Sequence, residues 1–159
     1  MKKLLAIAAL AVFALSGCAQ SLAYEPAEFA TDPGCADVIV HTKYDVADLP
    51  LRETNAQGVT AWGSPAAVIL RCGVAEPEPT STLPCVQVDD VFWLRDDTDA
   101  PNYVFTTYGR SPATEVVINR DVVSPGVALY ALTGAIGYTE STGSCTKVED
   151  TLGNPTDAD

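Results

Sequence analysis

The stretch WGSPAAVILRCGV, residues 62–74, concentrates apolar residues that favour β structure. Residues 66–70 are apolar at every position, which is typical of a strand covered on both faces. A Gly-Ser-Pro sequence before this run and Gly73 after it break the regular pattern. We therefore predict a central buried strand here, and we expect Cys72 to be bonded to another part of the chain.

Further β-rich segments follow, and the turns between them predict antiparallel pairing. Residues 85–88 and 91–94 flank an Asp-Asp pair, and a two-residue loop of this kind predicts a tight hairpin. Two more runs rich in aromatic and branched residues follow it, at 103–108 and 114–118. Together these segments predict a β-meander.

Two helices are predicted from the residues that begin them. Asp32-Pro33 and Ser124-Pro125 each combine a side chain that caps free backbone N–H groups with a proline suited to the first helical turn. The overall prediction is an α+β domain, in which an antiparallel sheet of about four or five strands carries two helices on one face. We expect disulfides to staple this domain.

The first 18 residues have the features of a lipoprotein signal peptide. Lys2 and Lys3 precede an apolar run, residues 4–15, that is too short to span a membrane comfortably. The run ends in Leu-Ser-Gly-Cys, which resembles the bacterial lipobox, whose cysteine receives a diacylglyceryl group and becomes the first residue of the mature chain. We therefore expect Cys18 to carry acyl chains that hold the protein on a membrane.

The chain divides into four predicted parts. Residues 1–17 are the lipoprotein signal peptide, and residues 18–31 form a tether that lacks periodicity. Residues 32–145 form a single α+β domain, which is long enough to bury a core. Residues 146–159 are predicted to be a disordered acidic tail.

The chain is strongly acidic. Its formal net charge is −12, and removal of the signal peptide leaves seven basic residues against 21 acidic ones, a charge of −14. Nucleic acid and anionic lipid surfaces would repel such a domain, so we predict no nucleic-acid partner.

Four cysteines remain once Cys18 is set aside for the lipid. An even number outside the cytoplasm predicts two disulfides, and neither a Cys-x-x-Cys spacing nor a second histidine is present to suggest zinc. Three pairings are possible. We favour Cys35–Cys72 and Cys85–Cys145, because each then ties a helical segment, or the residues just after one, to a strand.

The sequence offers few groups for catalysis. His41 is the only histidine, and no Gly-x-Ser-x-Gly elbow is present, so a Ser-His-Asp triad is not expected. The acidic loop 96–102 departs from the calcium-binding pattern, because Pro101 is at its sixth residue and no glycine provides the sharp turn. We predict a protein that is not an enzyme and that needs no cofactor and no metal.

Basic and aromatic residues are the remaining candidates for binding. Arg71 and Arg110 each lie in or just after a predicted strand and could hold an anionic group, such as the carboxylate of a wall peptide. The alternative, which we favour, is an internal ion pair with Asp37, Glu115 or a loop acid. The aromatic residues Trp62 and Tyr108 complete the set of candidate ligand or partner contacts, although aromatic residues in strands more often pack in a core.

Two motifs resemble a known family. The segments 61–65, AWGSP, and 70–73, LRCG, together with a cysteine in a short first helix, resemble an actinobacterial family of secreted proteins and lipoproteins, domain of unknown function 3515 (DUF3515). The resemblance covers roughly residues 33–138 and supports the pairing of Cys35 with Cys72. It implies no activity.

The combined expectation is a lipoprotein on the outer face of the cell membrane, held there through Cys18. We expect a non-enzymatic binding or accessory role, with a cell-envelope protein or a cell-wall component as the partner. The alternative is a cell-envelope hydrolase or a small-ligand-binding protein that uses Arg71 and Arg110.

Overall fold

The computed structural model describes residues 21–79 and 82–149. Within these residues the chain forms two helices, α1 (Pro33–Val40) and α2 (Pro125–Ile136). It also forms strands β1 (Asp45–Val46), β2 (Leu49–Arg52), β3 (Val59–Trp62), β4 (Val68–Val74), β5 (Cys85–Val88), β6 (Val91–Asp96), β7 (Asn102–Tyr108), β8 (Arg110–Ser111), β9 (Ala113–Asn119) and β10 (Glu140–Ser141).

The strands make a larger sheet than the sequence predicts. Over the described residues the large sheet has eight strands, all antiparallel, in the order β1-β2-β3-β4-β9-β7-β6-β5, and β8 pairs with β10 in a small second sheet. The predicted α+β domain with a sheet of four or five strands is therefore wrong, and the fold is mostly β.

The stretch 62–74 accounts for part of this error because it contains a turn. Gly63 has a φ of +94°, and the Ala67 N–H bonds the Trp62 carbonyl at 2.9 Å, so the chain reverses between β3 and β4. Three other strands that the sequence does not predict, β1, β8 and β10, have two residues each. Such short strands are too brief to show an alternating pattern.

The start of α1 and the β5–β6 hairpin form as the sequence predicts. The Asp32 carboxylate accepts a hydrogen bond from the Gly34 N–H at 2.8 Å, and Pro33 occupies the first turn of α1. In the hairpin, Val88 lies opposite Val91, and Asp89 has a φ of +55° in the two-residue loop. Local turn and cap chemistry therefore determines these boundaries.

Both helices contribute to a core on one face of the large sheet, which we call the covered face. The fully buried members of this core come from α1, α2 and alternate positions of the strands, and they include Val38, Trp62, Val68, Leu70, Val86, Trp93, Phe105, Ile118, Leu129, Leu132 and Ile136. The ring N–H of Trp62 donates to the Lys43 carbonyl at 3.0 Å, so the largest side chain in the opening stretch is enclosed and hydrogen-bonded.

Strand β4 lies inside the large sheet but is covered on only one face. Val68, Leu70 and Cys72 are fully buried, whereas Ile69 and Arg71 between them are only partly buried. The expectation that residues 66–70 are covered on both faces is therefore wrong. An unbroken apolar run here marks a strand whose outer face is apolar without being enclosed.

The predicted domain boundaries fall partly outside the described residues. The signal peptide 1–17, Cys18 and the tail from residue 150 onwards are not described. Of the predicted tether, residues 21–31 contact the domain: Leu22 pairs in parallel with Thr54, and the Phe29 N–H bonds the Gly73 carbonyl at 2.8 Å. At the other end, the Glu149 N–H bonds the Cys85 carbonyl at 2.7 Å.

Candidate binding face of the sheet

The predicted disulfides are confirmed, and they lie in different surroundings. Cys35 of α1 is bonded to Cys72 of β4, and both residues are buried beneath the covered face. Cys85 of β5 is bonded to Cys145, which is partly exposed in the segment after β10. One bond therefore fixes a helix to the sheet, and the other fixes the C-terminal segment to a sheet edge.

The opposite face of the large sheet, which we call the open face, carries apolar residues at its centre. Ile69 of β4 lies opposite Val117 of β9, which lies opposite Val104 of β7. All of these side chains are partly exposed, whereas their sequence neighbours on the covered face are buried. A solvated sheet face usually alternates to polar residues, so an apolar row is unexpected here.

An ion pair lies in the next row of the open face. Arg71 donates through Nη1 to Oε1 of Glu115 at 3.3 Å, and the two residues are direct cross-strand neighbours. This contact confirms the expected internal pair for Arg71, with Glu115 as the partner. The Arg71 side chain is 38 % exposed, and its buried Nε has no hydrogen-bond partner. Because its side chain is still partly exposed, Arg71 is accessible from this face of the sheet.

A groove borders the open face where the proline-rich loop and the C-terminal segment meet. It has a volume of about 520 Å³, and Leu94 and Tyr108 of the sheet line it together with Pro84, the Cys85–Cys145 disulfide and Lys147. Tyr108 is partly exposed, so its ring can contact a molecule bound in the groove. Of the predicted contact residues, Tyr108 and Arg71 are the ones that reach an accessible surface.

Arg110 and Trp62 are used inside the fold. Arg110 donates through Nη1 to the Thr139 carbonyl at 3.0 Å and through Nη2 to the Asp90 carboxylate at 3.4 Å, and its side chain is 9 % exposed. It therefore links the β5–β6 hairpin loop to the segment after α2. Because Trp62 is fully buried on the covered face, it lies away from the open face.

His41 also makes internal contacts. Its ring stacks on Tyr138 with centroids 3.6 Å apart, and Nδ1 lies 2.7 Å from the Asp37 carbonyl. These contacts join the end of α1 to the segment after α2. Among the described residues, no group of three or more His, Cys, Asp or Glu side chains could hold a metal ion.

One carboxylate at the border of the open face has a shifted pKa. Asp96 lies opposite Val104, and it accepts hydrogen bonds from the Thr98 backbone N–H at 3.0 Å and the Thr98 hydroxyl at 2.7 Å. The backbone bond, followed by the hydroxyl bond, lowers the pKa of Asp96 below its ordinary value. This charge is therefore held at the loop by local hydrogen bonding.

The open-face residues Ile69, Val104 and Val117 were not among the predicted contact residues. Their signal in the sequence is a local one: VVI at 116–118 and VIL at 68–70 place an apolar residue at every position, where a half-covered strand would alternate. That pattern also fits a strand covered on both faces, so the sequence alone did not separate the two cases.

Comparison with known protein families identifies a family for this chain. A family model described as "Protein of unknown function (DUF3515)" matches residues 3–144. No curated protein and no solved structure matches the chain significantly. The matched region includes Cys35, Cys72 and Cys85 and ends one residue before Cys145. No helix in the described ranges is long and apolar enough to cross a membrane.

Proposed function

The chain belongs to the DUF3515 family of proteins of unknown function, and for this member we propose an extracytoplasmic lipoprotein that binds another component of the cell envelope without catalysing a reaction. The observation that carries the binding role is the open face of the sheet. It presents a row of partly exposed apolar side chains beside the Arg71–Glu115 pair, with a groove at its border.

The proposed location rests on the lipobox and on the disulfides. Residues 15–18 read Leu-Ser-Gly-Cys after an apolar run with two lysines before it, as in lipoprotein signal peptides. The bonds Cys35–Cys72 and Cys85–Cys145 are typical of proteins that fold in an oxidising compartment. Acyl chains on Cys18 would then hold the domain on the outer side of the membrane.

The non-enzymatic role is favoured because the scarce chemical groups serve internal contacts. His41 stacks on Tyr138, and the Arg110 guanidinium bonds Thr139 and Asp90. A catalytic base or an anion-binding group must instead face the substrate. This argument weighs against the hydrolase alternative for these residues.

Small-ligand binding is the second candidate, and Arg71 is the observation that favours it. Its side chain is 38 % exposed beside Glu115, so a ligand carboxylate could approach the guanidinium there. Arg110 cannot share such a ligand, because its side chain is buried against Thr139 and Asp90.

Site-specific photocrosslinking in native membranes tests the binding role. A photoreactive residue at Val117 reports the open face, and the same residue at Val122, which is 58 % exposed in the loop after β9, is the matched control. We expect a discrete crosslinked species at position 117 and none at position 122. Adducts at position 122 without adducts at position 117 would overturn the assignment to the open face.

Labelling with a fatty-acid analogue tests the lipid anchor separately. We expect the wild-type chain to incorporate the label and the Cys18→Ala variant to lose it. A wild-type protein that carries no label would contradict the proposed location and would leave the crosslinking result to be judged by itself.

A further inference from the structure

We infer that the β1–β2 edge of the sheet is the surface that lies against the membrane, with Tyr44 and Leu51 in the headgroup region. This inference rests on the proposed lipid anchor at Cys18. It adds an orientation to that anchor, because the domain would be held with the β1–β2 edge towards the bilayer. The argument uses the docked segment before α1, the reach of the chain and the residues along that edge.

The segment that follows Cys18 joins the sheet almost at once. The Leu22 N–H bonds the Glu53 carbonyl at 3.0 Å, and the Asn55 N–H bonds the Leu22 carbonyl at 3.1 Å. The Tyr24 N–H adds a bond to the Asn55 side chain at 2.9 Å. Leu22 is therefore a fixed point of the domain.

The chain between the anchor and this fixed point is short. Four Cα–Cα steps separate Cys18 from Leu22. Since an extended chain advances by at most about 3.6 Å per residue, Cys18 lies within about 14 Å of Leu22. An acylated Cys18 at the headgroup level would therefore keep Leu22 close to the bilayer surface.

Tyr44 and Leu51 lie along the same edge as Leu22. Strand β2 pairs with β3 on one side, so β1 and Leu22 both occupy its other side, with Leu22 opposite Thr54. The Leu51 N–H bonds the Tyr44 carbonyl at 2.7 Å, which places those two residues opposite each other. Leu51 and Thr54 are three residues apart, or about 10 Å along a strand. This distance of about 10 Å is shorter than the distance of about 14 Å that the chain between Cys18 and Leu22 can span.

The side chains at this edge suit a membrane interface. Tyr44 is 82 % exposed, the most exposed large apolar or aromatic side chain among the described residues, and Leu51 is 37 % exposed. Tyrosine is enriched at headgroup depth because its ring is apolar and its hydroxyl is polar.

The charges nearby limit the depth of contact. Asp45, Asp48 and Glu53 are exposed along the edge, together with the basic Lys43. Carboxylates are costly to place in hydrocarbon, so the edge would rest among the headgroups without entering the acyl region. The acidic excess also favours zwitterionic over anionic lipid.

Quenching by spin-labelled lipid tests the orientation. The lipidated full-length protein is reconstituted in phosphatidylcholine vesicles in which some lipids carry a nitroxide on the headgroup. The Tyr44→Trp variant reports the β1–β2 edge, and Gln87→Trp, exposed on β5 at the opposite edge of the large sheet, is the matched control. The native Trp62 and Trp93 are fully buried and contribute the same background to each variant.

We expect the nitroxide to quench the added emission of Tyr44→Trp and to leave that of Gln87→Trp unchanged. Equal quenching of the two variants would overturn the inference. Stronger quenching of Tyr130→Trp, a reporter on the exposed side of α2, would also overturn it, because it would place α2 against the lipid.

Two further measurements distinguish the absence of the lipid anchor, a wrong orientation on the membrane and self-association of the protein. Mass spectrometry of the reconstituted protein reads the lipid on Cys18: an unmodified cysteine overturns both the proposed anchor and the orientation, whereas a lipidated protein with equal quenching overturns the orientation alone. Protection of Tyr44→Trp from acrylamide in detergent, rising with protein concentration, would place a second copy on this edge and overturn the membrane contact.

Discussion

The covered and open faces of the large sheet share their strands but differ in what surrounds them. On β4, Leu70 is enclosed by the helices, while the adjacent Ile69 and Arg71 are partly exposed. The disulfides follow the same division, since Cys35–Cys72 lies in the core and Cys85–Cys145 lies at a border of the sheet. The comparison shows that one face is enclosed in the core, while central residues of the other stay partly accessible.

The largest expected effect comes from removing the disulfide of the covered face. Chain entropy predicts about 4 kcal/mol for each bond, slightly more for Cys85–Cys145 because it closes the longer loop. The double variant Cys35→Ala/Cys72→Ala also removes sulfur atoms from a packed core. We therefore expect it to lose more unfolding free energy in urea than Cys85→Ala/Cys145→Ala. The opposite ranking would show that loop length outweighs burial.

Adjacent residues of β4 give the next comparison. Leu70→Ala should lower the unfolding free energy by about 2–5 kcal/mol, because it empties space that the helices enclose. Ile69→Ala should cost only about 1 kcal/mol, because its side chain is already partly in water. Denaturant melts of both variants measure this difference. Equal losses would mean that the open face is enclosed in solution.

The two arginines provide a third test. Arg110→Met would leave the buried Thr139 carbonyl without its donor, at a cost of about 1–3 kcal/mol. Arg71→Met breaks a partly exposed ion pair, for which we expect at most about 1 kcal/mol. Thermal and urea unfolding compare the two.

The effects of the two arginine variants on partner binding should follow the opposite order to their effects on stability. If a partner occupies the open face, Arg71→Met weakens the crosslink from position 117, whereas Arg110→Met leaves it intact at temperatures where that variant is folded. A crosslink that is lost only in Arg110→Met would contradict the assignment of Arg110 to a structural role.

The features that could be predicted from sequence are those with local chemistry. Asp32 and Pro33 begin α1, the hairpin at Asp89 has its expected register, and the cysteine pairing follows the favoured choice. The cap and the turn depend on a few neighbouring residues, whereas the cysteine pairing is predicted from the elements that each bond would join and, for Cys35–Cys72, from the family resemblance.

The number of strands and the exposure of their faces depend on distant parts of the chain. Gly63 turns the chain between Trp62 and the apolar run 66–70, so the predicted strand 62–74 contains the end of β3, a turn and all of β4. For Ile69, exposure depends on whether another layer packs on the open face, and no residue near it in sequence reports this. The partners of Arg110 are equally distant, because its main acceptor is the backbone of Thr139.

The smallest expected effect concerns Asp96 at the border of the open face. Thr98→Val removes the hydroxyl hydrogen bond and keeps the backbone one, so the pKa of Asp96 should rise towards its ordinary value without reaching it. Because the folded-state pKa is lowered, the contribution of Asp96 to stability is present at neutral pH and is lost as the pH falls through that pKa. The variant should lose this contribution at a higher pH than the wild type does. Carboxyl carbon NMR titration measures the pKa, with Thr106→Val on the same face as the control, and an unchanged Asp96 pKa in Thr98→Val would contradict the hydroxyl's role.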